Sequence, residues 1–453
     1  MKTNWIHFRN WASNHQSLAR HHWTWLKLTL IALTFIFTFL AWTSVRIEWI
    51  LLLILNLFAL ALIDPKWLLI TIIGAIIFLA ITITLKNSLS IPSTIQAHLQ
   101  VEKIVGRGVI LRYGFQKIYV KTNLNLTIDD WVKLDAYNIS KLATSLIDES
   151  FNNYLKSQGV FFVAQKANVE LLTTTASIKQ VIYQYFLNGP HFYSQYTPLT
   201  LLGYKVDANQ EIYTKLKTIS IIHLFVISGF HINLWIFILV KISQKLQINN
   251  KYYYLFLPCL LLPYLWLVNF NISAVRAFLL SYFLIINKYF FHDKYDRINL
   301  LALTMLIVVL FNPYMVYSLS FLLSFLITYS IFLTLKGCKK KHMKLKVHLA
   351  AWSTSALLLA YINENLNLSG LLNGFLVGPI VIVIYFVTSI MFFLKPVIDN
   401  LFYLFDVMVN ALQYLVIIFP VKLHIGLVLS FYLSWFGIIT YCIQKKQLQI
   451  KAT

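Results

Sequence analysis

Apolar runs long enough to cross a bilayer recur along most of this chain, and they limit its fold more than any other feature. A spanning helix needs about 20 predominantly apolar residues, with a lower limit of about 17. Only 12% of the residues are charged, whereas soluble proteins carry about 25%. The runs lie at about 26–43, 47–63, 67–85, 218–240, 252–270, 272–291, 299–311 with its continuation, 315–335, 346–362, 368–394 and 421–443, and a weaker run lies at 397–419. We therefore predict a polytopic α-helical membrane protein with about ten to twelve transmembrane helices.

The basic residues predict the orientation of the chain. The net charge is +22, from 38 lysines and arginines against 16 acidic residues. In membrane proteins such residues collect in short cytoplasmic loops. The basic clusters here are the segment before the first run, the loop at 336–346 and the tail at 444–453. All three are predicted to be cytoplasmic. The N-terminal unit, residues 1–90, contains about three helices, so a chain that starts in the cytoplasm leaves this unit on the outer side. A cytoplasmic tail also requires the weak run at 397–419 to cross the bilayer rather than lie in its interface.

Between residues 91 and 172 the pattern changes to short segments that alternate or are rich in β-branched residues, as strands are. About five such segments predict a small β domain, a barrel or a sandwich, outside the cytoplasm. Residues 173–217 follow as a linker with an amphipathic helix on the membrane surface, and residues 218–443 form the helical core. The candidate strands are Ile95–Val105, Val109–Tyr113, Gln116–Thr122, Trp131–Ile139 and Val160–Ala164.

Cations and aromatic residues alternate within this β domain. Small barrels bind single-stranded nucleic acid by stacking bases on aromatic side chains while cations follow the phosphate backbone. The alternative is that the aromatic residues belong to the core and the lysines merely face solvent, as in any small barrel. The candidate DNA-binding residues are Arg107, Arg112, Tyr113, Lys117, Tyr119, Lys121 and Trp131.

The stretch from Ile222 to Trp235 places polar and ionisable residues inside an apolar run. At membrane depth such groups are costly and are tolerated mainly where they face a cavity or another helix. His223 and His231 are eight residues apart and would not share a ligand on an unbroken helix. Ser228-Gly229 lies between them, and a break there would bring the two imidazoles nearer to one cavity. The alternative is that the histidines are structural.

Arg276 stands inside the run from Ile272 to Ile286, although the chain has few arginines. A cation at that depth requires an anion, carbonyl groups or water, unless the side chain reaches the outer interface. Other runs contain helix breakers beside polar residues, which are typical of permeation pathways in transporters, although each alone could be a packing kink. These candidate pathway residues are Asn312, Pro313, Ser324, Asn373 and Pro379.

Several of these residues occur in an order that resembles the ComEC-type competence proteins, over about residues 26–443. The segment from His223 to His231 is similar to the HLxxISGxH signature of that family. The chain departs from the family pattern at Tyr204-Lys205, Asn233 and Leu322. These departures concern the details of gating. The other matching pieces are Leu201-Leu202-Gly203, Ala274-Val275-Arg276-Ala277, Asn312-Pro313-Tyr314, Phe321 to Phe325, Asn373 with Pro379, and Ser150 to Gly159 at the end of an OB-type barrel.

The resemblance implies a channel that moves single-stranded DNA across the bacterial cytoplasmic membrane, with an external OB-like domain that binds the strand. His223, Ser228, Gly229, His231 and Arg276 would then line or gate the path. The implied partners are single-stranded DNA, membrane lipids, an external DNA receptor, a cytoplasmic helicase or ATPase, and further copies of the chain.

Many family members continue into a metallo-β-lactamase-like domain, and no such domain precedes Thr453 here, so we predict neither nuclease activity nor another enzyme activity. The three cysteines stand singly, and neither a metal site nor a cofactor is predicted. Two alternatives stay open: a secondary transporter of a small anion, and an intramembrane hydrolase that uses His223, His231 and Ser228.

Overall fold

The structure is a computed structural model, and it describes most of the chain. The described residues are 26–44, 46–105, 108–122, 124, 126–142, 149–173, 177–204, 209–225, 229–248, 251–338, 341–424, 427–428, 430–432 and 434–437. Seven strands and seventeen α-helices are assigned within them, together with one π-helix and two 3₁₀-helices.

Three helices open the described part, a five-stranded domain follows, and the remaining helices form the core. The first helices are α1 (Lys27–Ser44), α2 (Ile47–Ile63) and α3 (Pro65–Ser88). The domain holds β1 (Ile95–Val105), β2 (Gly108–Tyr113), β3 (Gln116–Lys121), β4 (Trp131–Lys141), α4 (Glu149–Ser157) and β5 (Phe162–Thr173). A linker with α5 (Ile178–Leu187), α6 (His191–Thr197), the π-helix Pro198–Leu202 and α7 (Gln210–Thr218) leads to the core.

The core helices are α8 (Ile222–Phe225), α9 (Gly229–Lys245), α10 (Lys251–Phe256), α11 (Leu262–Leu267), α12 (Ile272–Phe290), α13 (Arg297–Phe311), α14 (Leu319–Gly337), α15 (Met343–Asn363), α16 (Ser369–Met391) and α17 (Lys395–Gln413). The 3₁₀-helix Leu257–Leu261 joins α10 to α11, and Pro313–Tyr317 joins α13 to α14. Two short antiparallel strands, β6 (Asn365–Asn367) and β7 (Ile418–Pro420), connect the ends of the last helices.

Within the part of the chain that the structure describes, seven segments are long and apolar enough to cross a membrane, which confirms a polytopic helical membrane protein. They are α1, α3, the stretch Ile222–Lys245 that contains α8 and α9, α12, α14, α15 and α16. Two further apolar helices, α2 and α13, are shorter. More crossings were expected. One reason for the difference is that the run at 252–270 is divided into three short helices, of which the second and third begin one residue before Pro258 and Pro263. The weak run at 397–419 forms the amphipathic helix α17, and the run at 421–443 lies partly outside the described residues.

The five strands close into a barrel in the order β1-β2-β3-β5-β4, with β3 and β5 parallel and the other pairs antiparallel. This arrangement confirms a small OB-like barrel inserted after the third helix. Alternate residues such as Val101, Leu111 and Val132 fill the interior and are fully buried. Strand β5 is longer than expected, because its second half is largely exposed while its backbone pairs along β4.

The barrel rests on one end of the helical bundle, which we call the barrel-side end. Asn312 donates its side-chain amide to the carbonyl of Ser157 at 3.1 Å, and the Phe161 and Tyr314 rings meet edge-on at 5.2 Å between centroids. The opposite end is marked by the ion pairs Lys27–Asp64 and Lys336–Asp296, at 2.6 and 2.5 Å. The first ion pair joins the start of α1 to the end of α2, and the second joins the end of α14 to the start of α13. Helices α1 and α2 are therefore antiparallel to each other, and so are α13 and α14.

Candidate functional site

The beginning of α9 packs tightly against α12. Gly229 is the first residue of α9 and is buried, and its α-carbon faces the guanidinium of Arg276. A β-carbon at this position would meet Nη2 of Arg276 and would lie 3.2 Å from the β-carbon of Ala277. Helices α9 and α12 run parallel, because Ser281 donates to Asn233 one turn further along. Glycine at position 229 therefore provides the space that the guanidinium occupies.

Arg276 points into the bundle, with only 8% of the residue exposed. Its Nη1 donates to the carbonyl of Ser324 at 3.0 Å and to the hydroxyl of Thr328, both on α14. The guanidinium carbon lies 5.9 Å from the centre of the Phe325 ring. Nε has no hydrogen-bond partner, and no carboxylate among the described residues pairs with this cation. The side chain does not extend along the surface toward the outer interface.

His231 lies in a different environment, among aromatic side chains. It is 1% exposed, its ring centroid lies 4.1 Å from that of Tyr385 on α16, and it is hydrogen-bonded to the backbone of Leu224. The Tyr385 hydroxyl also accepts from Trp235 Nε1 at 3.0 Å and lies 3.4 Å from the hydroxyl of Tyr264. This cluster was not predicted from the sequence, although Trp235 follows His231 by four residues and so shares its helix face.

His223 does not join His231. His223 is exposed, is hydrogen-bonded to the backbone of Ser220, and interacts electrostatically with His348 on α15. His348 in turn lies 2.8 Å from the carbonyl oxygen of Leu371, near the start of α16. Leu371 and Tyr385 are about 21 Å apart along this helix. His231 therefore contacts the second half of α16, whereas His223 interacts with α15 beside the start of α16. The third polar residue of the motif, Ser228, lies outside the described residues.

The helix breakers serve different purposes. Asn312 caps the 3₁₀-helix that begins at Pro313 by accepting from the amide of Tyr314, in addition to holding the barrel. Asn373 donates to the carbonyl of Ile219 at 3.0 Å, beyond the end of α7. Pro379 is exposed and lines an apolar groove of about 410 Å³ between α16 and α17. Of the expected pathway residues with a helix break, only Ser324 contacts Arg276.

Four of the polar and aromatic side chains on the barrel form a row across strands β3, β2, β1 and β4. Lys117 is paired in register with Arg112, Arg112 with Gln100, and Gln100 with Trp131. Their neighbours point inward, so this row lies on the outer surface. Lys117 forms an ion pair with Glu102, whereas Arg112 and Trp131 are exposed.

Tyr119 is not a surface residue, contrary to the sequence analysis. Helix α4 covers the outer face of β2 and β3, and the Phe151 ring meets Tyr119 edge-on at 5.4 Å. Burial raises the pKa of the Tyr119 hydroxyl accordingly. Alternation predicts an outward-facing position but not the helix that packs over it. Among the other candidates, Tyr113 is half-buried, Lys121 is exposed, and Arg107 lies outside the described residues.

Comparison with known proteins identifies the family of this chain. No solved structure matches it significantly. It is 30% identical over 200 residues to "Uncharacterized protein MG316" of Mycoplasma genitalium, which covers 43% of this chain and 50% of that protein. It is 29% identical over 205 residues to the homolog in Mycoplasma pneumoniae, with 44% and 51% covered. The chain thus spans about half the length of these relatives. Residues 200–446, more than half of the chain, match the family described as "Competence protein". The chain belongs to the competence protein family.

Proposed function

We propose that this chain passes single-stranded DNA across the bacterial cytoplasmic membrane. Membership of the competence protein family supports a role in DNA uptake. The observation that carries the finer proposal is Arg276, a buried cation whose Nε lacks a partner and which no described carboxylate neutralises. Phosphates cannot cross hydrocarbon, so a strand with one charge per nucleotide requires a path lined by water and cations.

We also infer that α9 begins at Gly229 with a helix N-terminus, which would add a second source of positive potential at this place. The amides in the first turn of a helix have no intrahelical partner and carry about half a positive charge together. Anions therefore bind readily at helix N-termini. Because Gly229 touches the guanidinium, a phosphate approaching Arg276 would also approach this turn. We infer that the strand moves past Gly229 and Arg276, with His231 and its aromatic neighbours beside them and His223 further along.

The distribution of basic residues supports an orientation with the barrel outside. The end of the bundle opposite the barrel carries Lys27 and Lys336. At the same end, the connection between α14 and α15 adds Lys341, and the first turn of α15 adds Lys344 and Lys346. Such clusters mark the cytoplasmic side. We infer that an external receptor delivers DNA to the barrel and that a cytoplasmic helicase or ATPase provides the driving force near these lysines. The chain could also act as a homo-oligomer.

On the barrel, we propose that Trp131 stacks on bases while Arg112, Lys117 and Lys121 contact phosphates. Replacing Trp131 with alanine is expected to weaken binding of single-stranded DNA to the full chain about 5- to 150-fold, because stacking contributes about 1–3 kcal/mol per base. Binding should also weaken steeply as the salt concentration rises. The measurement is fluorescence anisotropy of a labelled oligothymidine with the chain in nanodiscs.

Tyr137→Ala is the matched control for Trp131, because Tyr137 is an exposed aromatic residue on the same strand, about 20 Å away. Its removal should leave affinity unchanged. Equal losses in both variants, or none in either, would show that the row around Trp131 does not bind DNA.

The proposed function is tested by uptake of labelled DNA into cells with and without this chain. We expect loss of the chain to abolish entry of labelled single strands into the cytoplasm while DNA still collects at the cell surface. Unchanged entry would refute the proposal. If DNA entry is unchanged but uptake of a small anion such as phosphate is lost, the transporter alternative is correct. The hydrolase alternative depends on Ser228. It predicts that Ser228→Ala abolishes hydrolysis and leaves DNA entry unchanged.

A further inference from the structure

The turn between β2 and β3 exposes a large apolar side chain. Gly114 and Phe115 form a two-residue loop, and Gly114 has a φ of +59°, as the first residue of a tight hairpin turn requires. Phe115 is fully exposed, whereas Arg112 donates from Nε to the carbonyl of Gly114 at 3.3 Å. The turn is therefore held by its own hydrogen bonds and projects the ring of Phe115 away from the barrel.

This turn lies beside the end of a membrane-spanning helix. Gln116, the next residue, donates its side-chain amide to the carbonyl of Ser90 at 3.3 Å. Ser90 is two residues beyond Ser88, where α3 ends. Leu89 and Ile91 on either side of Ser90 pack against the barrel core. The tip of the hairpin is thus fixed at the depth at which α3 leaves the membrane.

Other aromatic and basic side chains occupy the same depth. Trp42 lies in the last turn of α1, and Lys86 in the last turn of α3 places its Nζ 5.2 Å from the centre of the Trp42 ring. Aromatic residues collect at this level in membrane proteins because their rings favour the headgroup layer. A single exposed apolar side chain on a soluble domain would need no explanation. Beside the end of a membrane-spanning helix, however, the expected surroundings are the headgroup layer.

We propose that the hairpin tip of the barrel is a membrane anchor, with Phe115 inserted into the headgroup layer of the phospholipid bilayer. The inference goes beyond DNA passage and holds whether or not the chain conducts DNA. The anchor fixes the barrel at a point separate from its contacts through Asn312 and Tyr314. It also holds the adjacent Arg112 and the rest of the row close to the membrane surface.

The experiment measures the depth of a nitroxide spin label at position 115. The full chain, with Cys259, Cys338 and Cys442 replaced by alanine, carries Phe115→Cys and is reconstituted into phosphatidylcholine–phosphatidylglycerol vesicles. We expect collisions of the label with oxygen to exceed those with a water-soluble nickel chelate. Lys121→Cys is the matched control, because Lys121 is exposed at the other end of β3, about 17 Å from the turn. Its label should collide mainly with the nickel chelate.

Two outcomes would overturn the proposal. One is equal, water-like accessibility of the labels at 115 and 121. The other is a water-accessible label at 115 that becomes immobile when a single-stranded oligonucleotide is added, which would make Phe115 a base-stacking residue instead. A membrane-inserted label that is unaffected by the oligonucleotide supports the anchor, even if the variant still imports DNA.

Discussion

Replacing Arg276 with glutamine is expected to reduce DNA uptake about 10- to 100-fold at equal protein levels. A hydrogen bond between a charged group and its partner contributes about 1.5–3 kcal/mol, and each 1.4 kcal/mol corresponds to a factor of ten. Glutamine keeps much of the volume of arginine but cannot attract a phosphate. Lysine keeps the charge without the planar fork, so Arg276→Lys should retain part of the activity.

The same substitution at Arg297 is the matched control. Arg297 is exposed at the start of α13, at the opposite end of the bundle from the barrel. Arg297→Gln should leave uptake unchanged, because that residue lies outside the proposed path. Normal uptake in Arg276→Gln cells would remove Arg276 from the pathway.

The stability of the Arg276→Gln variant distinguishes a functional role from a structural one. A buried cation without an anionic partner is costly, and replacing it removes that cost. We therefore expect the thermal unfolding temperature of the purified variant to be unchanged or raised while uptake falls. A large decrease in that temperature would instead show that the bonds to Ser324 and Thr328 hold α12 and α14 together.

Much of the fold could be predicted from the sequence because its strongest signals are local. Apolar length marks the spanning helices, and alternation marks the barrel strands. The breaks in the run at 252–270 were less apparent, because Pro258 and Pro263 lie within uniformly apolar sequence. The lid over β2 and β3 could not be predicted, because it depends on how α4 packs on the barrel.

The candidate site was predictable only in part, for a related reason. Arg276 stands out because a charge interrupts an apolar run. Its partners Ser324 and Thr328 follow 48 and 52 residues later, and the Tyr385 that contacts Trp235 is 150 residues away from it. No local sequence pattern indicates a contact between residues so far apart in the chain. The histidines are the opposite case. A break at Ser228-Gly229 suggested that they approach one cavity, whereas His231 contacts Tyr385 on α16 and His223 interacts with His348 on α15.

Replacing Gly229 with alanine is expected to reduce DNA uptake about tenfold without unfolding the protein. The added β-carbon would clash with Nη2 of Arg276, which is the end of a flexible side chain and can move aside. The guanidinium is then displaced, and the 3.2 Å approach to the β-carbon of Ala277 requires α9 and α12 to separate by only a few tenths of an ångström. Gly378→Ala is the matched control, because that glycine lies inside α16 with no heavy atom within 4 Å of a β-carbon. It should leave uptake unchanged, and the gain in helix propensity from alanine is opposed by the crowding of its β-carbon against the ring of Pro379.

A double variant tests whether Gly229 acts through Arg276. Substitutions that act through one group are not additive, whereas independent ones are. If the β-carbon at position 229 matters only because it displaces the guanidinium, Gly229→Ala should lower uptake in the wild type and have little further effect beside Arg276→Gln. Uptake is measured for both single variants and the double variant at equal protein levels. Independent, multiplicative losses would show that Gly229 affects the path by another route, such as the conformation of the chain that enters α9.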